Sequence, residues 1–215
     1  MTGAGEHRTS ARAREAGELE RRLVERGALG VEQVDDVLEV FGRQLGAENG
    51  ARYVARAWTD PAFRDELLRD ATSVVRRCGT DMAGSSNREL PFMQLVAVAN
   101  APDVHNVVVC TLCSCYPLAL LGPPPTWYKS TAYRARVVRE PRAVLREFEL
   151  ELGEDVEIRV WDSTADCRYL VLPERPAGTE GWSEDELAGL VTRDALIGTE
   201  LARGPARPVD PRTGS

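Results

Sequence analysis

Apolar residues recur every three or four positions through the first part of the chain. Leu19 and Leu23 lie one helical turn apart, and Gly27 stands where such a helix would end. Residues 34–45 repeat the same spacing before Gly46. The pattern predicts two amphipathic helices, and the ordinary role of such helices is to cover a hydrophobic core.

Two shorter helices are predicted next. Residues 52–58 carry apolar side chains four positions apart, and Asp60 followed by Pro61 is typical of the N-cap and first turn of another helix. Residues 1–12 are small, polar and charged, which predicts a flexible N-terminus. A helical N-terminal segment is therefore expected at residues 13–78.

The pattern becomes strand-like in the middle of the chain. Residues 93–99 form an apolar run, residues 100–103 indicate a turn, and a β-branched run begins at Val107. Further on, residues 156–161 and 168–172 alternate between apolar and polar side chains. The sequence thus predicts a buried strand near Val107 and, later in the chain, a β-hairpin.

Helical patterns return in the second half of the chain. Three prolines lead into residues 126–138, which are predicted to form one helix, and Pro141 starts a second predicted helix at residues 141–150. Residues 183–186 have the sequence of a capping box, which opens a last helix that is expected to end near Gly198. Helices are therefore expected on both sides of the predicted hairpin.

The order of these elements predicts an α+β fold. A helical N-terminal segment precedes a layered α-β-β-α domain at residues 79–203, and a flexible tail rich in proline follows at residues 204–215. The chain has 215 residues, of which 43% are hydrophobic, and this is enough to bury a substantial core.

Charge and hydropathy narrow the functional classes. The net charge of −7 and the lack of a basic stripe argue against a nucleic-acid surface. No apolar run reaches the roughly 18 residues of a membrane span, and the N-terminus lacks a signal-peptide core. Five cysteines, three of them crowded together, do not resemble a secreted disulfide framework. We therefore expect a cytoplasmic protein that binds neither nucleic acid nor membrane.

Three cysteines occur within six residues, directly after the β-branched run. Cys110, Cys113 and Cys115 form this group, which we call the cysteine claw (residues 110–115). Thiolates are soft metal ligands, and this spacing is too tight for a tetrahedral zinc site that takes a second ligand pair far away in sequence. If the chain turns sharply around an ion, the amides of Ser114 and Cys115 lie between the thiolates. Deprotonated amides favour square-planar or octahedral coordination, which suits a low-spin trivalent ion.

The remaining cysteines and histidines have simpler interpretations. Cys78 is expected to be an ordinary buried or half-buried thiol, and Cys167 to lie in or near the hairpin loop. His105 is expected to hydrogen-bond a nearby backbone group rather than to bind a metal. Taken by itself, the claw is also compatible with a zinc site, an iron–sulfur site or three buried thiols.

The claw resembles the metal-binding motif of the nitrile hydratase α-subunit in its sequence, CTLCSC. The similarity continues in the same order along the chain and covers roughly residues 96–198. Chance is a poor explanation for the claw and its flanking blocks together. The flanking blocks are residues 122–129, 133–142, 157–162 and 175–181.

The resemblance implies a hydro-lyase that hydrates a nitrile to the corresponding amide. By position, Cys110 is the axial thiolate, Cys113 the sulfinic acid and Cys115 the sulfenic acid. The backbone nitrogens of Ser114 and Cys115 complete the equatorial plane, and the Cys115 sulfenate is the catalytic nucleophile or the base that activates water. Thr111 resembles the residue that members of the cobalt branch carry at this position, so the resemblance implies non-corrin Co(III) rather than Fe(III).

The resemblance also implies a hetero-oligomer. A β-subunit, made of one chain or two, would contribute arginines to the oxidised claw, because no arginine lies within the claw itself. The N-terminal helices would then form an arm on that partner, and a chaperone would assist maturation. Asp162 is a candidate support for the metal loop, whereas Arg136 and Arg142 are more simply explained as a solvated helix face or a subunit contact.

Departures from the family pattern concern the substrate. Family members commonly carry a Trp-Pro pair where this chain has Leu118 and Ala119, and the loss of a ring should open space near the metal. We therefore predict a substrate pocket that includes Leu118, Ala119 and Trp127, although an aromatic residue at helical spacing, such as Trp127, is more often a packing residue. A substrate-orienting glutamine of the family has no clear counterpart, because Gln94 is out of register. The resulting hypothesis is that the enzyme accepts a bulky heteroaromatic nitrile, such as toyocamycin, as its substrate.

Two alternative functions differ in chemistry. Thiocyanate hydrolase uses a similar claw on a related subunit, so the chain is also compatible with its catalytic subunit. A non-enzymatic module that binds metal or senses redox state through Cys110, Cys113 and Cys115 would need no partner chain.

Overall fold

The computed structural model describes residues 18–19, 21–23, 25–27, 46–80, 94–112 and 115–205. The chain forms two compact units, residues 1–42 and residues 43–215. In the first unit the described residues are mostly helical up to Glu25, as predicted around Leu19. The predicted helix at residues 34–45 and the predicted flexible N-terminus at residues 1–12 lie outside the described residues, as does the predicted tail at residues 204–215 from residue 206 on.

Three helices come first among the described residues of the second unit, and aspartate side chains cap the second and the third. The helices are α1 (Ala47–Thr59), α2 (Pro61–Arg69) and α3 (Ala71–Arg77). Asp60 caps α2 by accepting a hydrogen bond from the Phe63 amide at 3.0 Å, which confirms the predicted start. Asp70 caps α3 in the same way from Ser73. Apolar side chains of all three helices are buried in the core, and no described helix is long and apolar enough to cross a membrane.

Four strands form two separate parallel pairs. The strands are β1 (Gln94–Ala99), β2 (Val104–Val109), β3 (Glu157–Asp162) and β4 (Cys167–Leu172). Strand β1 pairs with β4, and β2 pairs with β3 in a register that places Val109 opposite Asp162. Parallel pairs are usually buried, and Val107, Val108 and Val109 are at most 2% exposed.

The predicted hairpin between residues 156–161 and 168–172 is wrong. The backbone groups of β3 are bonded to β2, and the ladder continues from the Ser163 amide to the Val109 carbonyl at 2.7 Å. Those of β4 are bonded to β1 in the same manner. The backbone hydrogen-bonding groups of each strand are thus paired with a strand that is distant in sequence. Cys167 is the first residue of β4 and lies next to the loop that connects β3 to β4.

Short helices also occur among the described residues after β2. They are α4 (Leu118–Leu121), a 3₁₀ helix (Thr126–Lys129), α5 (Thr131–Arg136), α6 (Pro141–Glu147), α7 (Glu184–Ala188) and α8 (Arg193–Ile197). The single helix predicted at residues 126–138 is instead divided at Ser130, whose backbone is extended and whose hydroxyl caps α5. The predicted capping box at Ser183 is confirmed, although Thr192 caps a separate helix before the chain turns at Gly198.

The mixture of helices and strands confirms the α+β class in its general form, while the layered α-β-β-α order stays a prediction. Gly198 shows how closely the elements pack. Its φ is +91°, and an added Cβ would collide with the Asn106 carbonyl of β2. Glycine is therefore required where α8 ends against this strand.

Candidate metal centre

Strand β2 leads directly into the claw. Cys110 follows Val109 and is 1% exposed, so its thiol lies at the buried end of the strand. Cys115, on the far side of the loop, is half-buried. Cys113 and Ser114 lie outside the described residues, and no three His, Cys, Asp or Glu side chains are grouped to hold a metal within the described ranges. The full ligand set therefore stays a prediction.

Asp162 anchors the first turn of the claw. It ends β3, opposite the last residue of β2, because the two strands are parallel. One carboxylate oxygen accepts the Thr111 amide at 2.9 Å, and the other accepts the Thr111 hydroxyl at 2.6 Å. A carboxylate that accepts two hydrogen bonds from one residue fixes the orientation of that residue. Asp162 thus holds the first turn of the claw at Thr111, while its support of a bound metal stays a prediction.

An arginine that the sequence interpretation overlooked holds the same turn from α5. Arg134 donates from Nε to the Cys110 carbonyl at 3.1 Å and from Nη2 to the Thr111 carbonyl at 2.6 Å. The sequence offered one indication, because Arg134 lies in the flanking block at residues 133–142. Within that block, however, nothing in the spacing separates it from its basic neighbours.

The two arginines that were considered from the sequence serve other purposes. Arg136 forms ion pairs with Glu140 and Glu147 at the surface, both at 2.7 Å, as expected for a solvated helix face. Arg142 donates to three backbone carbonyls within residues 152–156 and so holds a loop rather than the claw.

Two buried tyrosines bond the backbone on either side of the claw. The Tyr128 hydroxyl donates to the Cys115 carbonyl at 3.0 Å, and the Tyr133 hydroxyl donates to the Val108 carbonyl at 2.7 Å. Burial raises the pKa of both phenols, so both remain protonated donors at neutral pH. The claw is therefore held at its first two residues and at its last.

Trp127 belongs to an aromatic cluster. Its ring lies 4.8 Å from that of Tyr133 and 4.7 Å from that of Phe148, in edge-to-face contacts. These contacts favour the packing interpretation of Trp127. Ala119 is buried in the core, and Leu118 is half-buried. The assignment of these three residues to a substrate pocket stays a prediction.

The hydroxyl of Tyr116, the residue after Cys115, is buried and has no hydrogen-bond partner among the described residues. Its ring packs edge-to-face on that of Tyr128 at 5.1 Å. Burial raises the pKa of this phenol, so the hydroxyl stays neutral. Among the described residues, Tyr116 therefore packs beside the claw through its ring contact with Tyr128.

His105 lies at the base of β2, in a buried polar network. Its Nε2 donates to the Gly198 carbonyl at 2.8 Å, and its Nδ1 accepts from the Asn100 side chain at 3.2 Å. The hydrogen bonds assign a neutral imidazole, and burial lowers the pKa of His105 accordingly. The predicted backbone hydrogen bond of His105 is confirmed. Cys78, by contrast, is exposed, because it ends α3 at the surface.

The chain resembles known proteins over most of its length. The family model for the nitrile hydratase alpha chain matches residues 10–200. The alpha subunit of the low-molecular weight cobalt-containing nitrile hydratase of Rhodococcus rhodochrous is 50% identical over 189 residues, which cover 88% of each chain. The gamma subunit of thiocyanate hydrolase from Thiobacillus thioparus is 42% identical over 184 residues, which cover 84% of this chain and 75% of that subunit.

The fold has a counterpart among solved structures. A double mutant of the Fe-type nitrile hydratase from Comamonas testosteroni Ni1 superposes with a TM-score of 0.81 and 38% identity, over 94% of this chain and 97% of that chain. The family match includes the strand that delivers the claw, the claw itself, and the residues that bond its backbone. This chain therefore belongs to the nitrile hydratase α-subunit family, whose enzymes are hydro-lyases.

Proposed function

We propose that this chain is the catalytic α-subunit of a cobalt nitrile hydratase, which hydrates a nitrile to the corresponding amide. The observation that carries the proposal is the backbone support of the claw. Asp162, Arg134 and Tyr128 hold the peptide groups at both ends of a loop that contains three cysteines. A loop with this degree of support is suited to presenting fixed donors to a metal ion.

Cys110, Cys113 and Cys115, with the backbone nitrogens of Ser114 and Cys115, would hold the metal. When bound, a trivalent cobalt ion would polarise the nitrile and lower the pKa of water. Cobalt is favoured over Fe(III) because the relative from Rhodococcus rhodochrous that is 50% identical is named as cobalt-containing and because Thr111 resembles the residue of the cobalt branch. The soft donors at the buried end of β2 fit such an ion, because thiolates bind softer transition metals strongly.

The chain would contribute its own reactive group through Cys115. As a sulfenate, its oxygen would take a proton from the attacking water or would itself attack the nitrile carbon. The Tyr128 hydrogen bond to the Cys115 carbonyl would fix the backbone from which this side chain extends. The sulfinate of Cys113 would supply further oxygens as hydrogen-bond acceptors.

The surroundings of Cys115 favour a neutral substrate. Pro117, Leu118 and Ala119 follow the claw with apolar side chains, and an apolar wall disfavours an anion such as thiocyanate more than an uncharged nitrile. The small Ala119 and the aliphatic Leu118 would leave room for a bulky heteroaromatic nitrile such as toyocamycin. Trp127 would close this pocket with its half-buried ring.

A β-subunit, one chain or two, would cover the claw and add arginines to its oxidised cysteines. Leu112, at the tip of the claw, is 83% exposed, and Val138 is 49% exposed. Val138 and Thr111 line a single open cavity of about 340 Å³. Apolar side chains beside such a cavity are suited to burial by a partner. We place the mature hetero-oligomer in the cytoplasm and expect a chaperone to assist metal loading.

The test uses the chain produced together with its β-subunit in cobalt-supplemented medium. The expected result is one cobalt per α-chain, with a mass for the claw peptide that shows two added oxygens on Cys113 and one on Cys115. Turnover is then measured with acrylonitrile, toyocamycin and thiocyanate. Faster turnover of thiocyanate than of either nitrile would favour the hydrolase alternative, and unmodified thiols with bound zinc would favour the non-enzymatic module.

Exclusion of toyocamycin with good turnover of acrylonitrile would refute only the bulky-substrate hypothesis. Activity that falls smoothly as the nitrile becomes larger would have the same meaning. Both results would leave the hydration of small nitriles in place, because the metal loop and the pocket are separate parts of the proposal.

A further inference from the structure

Arg134 is the cationic side chain in the described structure that bonds the claw backbone. Its guanidinium reaches across from α5 and donates to two consecutive carbonyl groups, those of Cys110 and Thr111. On the basis of the proposed function, we propose that Arg134 is a positioning residue that sets the direction of the Cys110 thiolate. The α-subunit would then supply an arginine of its own to the metal loop, in addition to those expected from its partner.

The geometry of the Cys110–Thr111 peptide supports this role. Its carbonyl accepts from Arg134 Nε at 3.1 Å, and its N–H donates to Asp162 Oδ1 at 2.9 Å. In a trans peptide the C=O and N–H groups point in opposite directions from one plane. Bonds at both ends therefore prevent rotation of that plane, so the backbone of Cys110 is fixed at the point where its side chain leaves it.

The second bond of Arg134 shows where the chain leaves the strand. In an extended strand, successive carbonyl groups point to opposite sides, so one guanidinium cannot reach two in a row. The Cys110 and Thr111 carbonyls both accept from Arg134, which places the turn of the claw at these two residues. The planar fork of Arg presents two donors in a fixed geometry that suits such a pair, whereas Lys has a single flexible ammonium group.

Arg136 offers a matched control on the same helix. It also makes charged hydrogen bonds, but its partners are Glu140 and Glu147 at the surface. Replacement by Lys keeps the charge at either position. Arg136→Lys therefore measures the effect of an Arg-to-Lys change on α5 alone. Arg134→Lys has the same effect on the helix and also removes the paired hydrogen bonds to the Cys110 and Thr111 carbonyls.

The experiment compares Arg134→Lys, Arg134→Gln and Arg136→Lys in the full α-chain produced with its β-subunit and cobalt. The measurements are cobalt per chain, the sulfur-to-metal charge-transfer absorption, kcat and KM. For Arg134→Lys we expect bound cobalt, a shifted absorption band, and a kcat per bound cobalt that falls about 10- to 100-fold while KM changes by less than about threefold. Arg136→Lys should match the wild-type chain in each measurement.

Hydrogen exchange gives a measurement that does not depend on turnover. The Thr111 amide should exchange at least about tenfold faster in both Arg134 variants, because its peptide plane is no longer held at the carbonyl end. An unchanged absorption band and kcat per cobalt in Arg134→Lys would overturn the proposal. A lower melting temperature with unchanged exchange at Thr111 would also overturn it, because Arg134 would then act on the fold alone.

The proposed function can fail separately. A wild-type complex that lacks cobalt or nitrile turnover would refute the proposed function. The exchange rate at Thr111 in the variants would still decide whether Arg134 fixes the loop.

Discussion

The substitution Tyr128→Phe tests the hydrogen bond that Tyr128 makes to the claw while leaving its ring in the core. The substitution removes one hydroxyl and keeps a ring that is fully buried and packs on Tyr116. The lost bond, 3.0 Å from the Tyr128 hydroxyl to the Cys115 carbonyl, leaves that carbonyl without this donor. Because the ring is kept and only the volume of one hydroxyl is lost, the effect comes mainly from the hydrogen bond.

The magnitude follows from the burial of the hydrogen-bonding groups. Leaving a buried carbonyl without its donor costs about 1–3 kcal/mol in the free energy of unfolding. For a domain of this size, each kcal/mol lowers Tm by roughly 2–4 °C. The catalytic effect should be larger than this stability loss suggests, because Cys115 carries the proposed reactive oxygen. We expect kcat per bound cobalt to fall about tenfold or more.

Tyr133→Phe is the matched control. Tyr133 is also buried and also donates to a backbone carbonyl, at 2.7 Å, but its acceptor is Val108 within β2. The two variants should lose similar stability in thermal unfolding followed by circular dichroism, while only Tyr128→Phe should lose kcat per cobalt. An equal loss of kcat in both, or an unchanged kcat in Tyr128→Phe, would refute the reasoning.

Three further predictions concern stability, each measured by chemical or thermal unfolding. Tyr116→Phe should leave the free energy of unfolding unchanged or raise it by up to about 1 kcal/mol, because the removed hydroxyl is buried without a partner among the described residues; a clear loss would reveal a bond to another group. Burial lowers the pKa of His105 in the fold, so its contribution is present above the unfolded-state pKa of about 6.5 and is lost as pH falls through the folded-state pKa. His105→Gln should flatten that pH dependence, and an unchanged slope would assign it to other groups. Gly198→Ala should cost at least about 1–3 kcal/mol, because φ is +91° and the new Cβ would meet the Asn106 carbonyl; wild-type stability would contradict this packing.

Local signals in the sequence predicted the local features well. Asp60, the capping box at Ser183 and the glycine at position 198 each act through neighbouring backbone groups, so their effects depend on a few residues. The division of one predicted helix at Ser130 was missed, although a serine before a threonine is a common helix N-cap. Apolar spacing continued across the break and concealed it.

Long-range pairing was not predictable in the same way. Residues 156–161 and 168–172 are close in sequence and alternate suitably, so a hairpin was the simplest interpretation. Their actual partners, β2 and β1, are fixed by burial of apolar side chains across the whole domain. Arg134 was overlooked for the same reason, because its contact with Cys110 depends on how α5 packs beside β2. The claw itself was recognisable from its cysteines, whereas the residues that hold it were mostly not.

The position of Asp162 has a consequence for the order of events during synthesis. The carboxylate that fixes Thr111 lies 51 residues further along the chain. Contacts of such long sequence separation form late, because closing the intervening loop costs entropy before the contact provides any stabilisation. A nascent chain that ends between the claw and β3 already carries all three cysteines of the claw but lacks the strand whose Asp162 fixes Thr111. Under the proposed function, correct metal capture would therefore await the emergence and docking of β3, and an ion bound before that stage would meet a loop whose Thr111 is not yet held by Asp162.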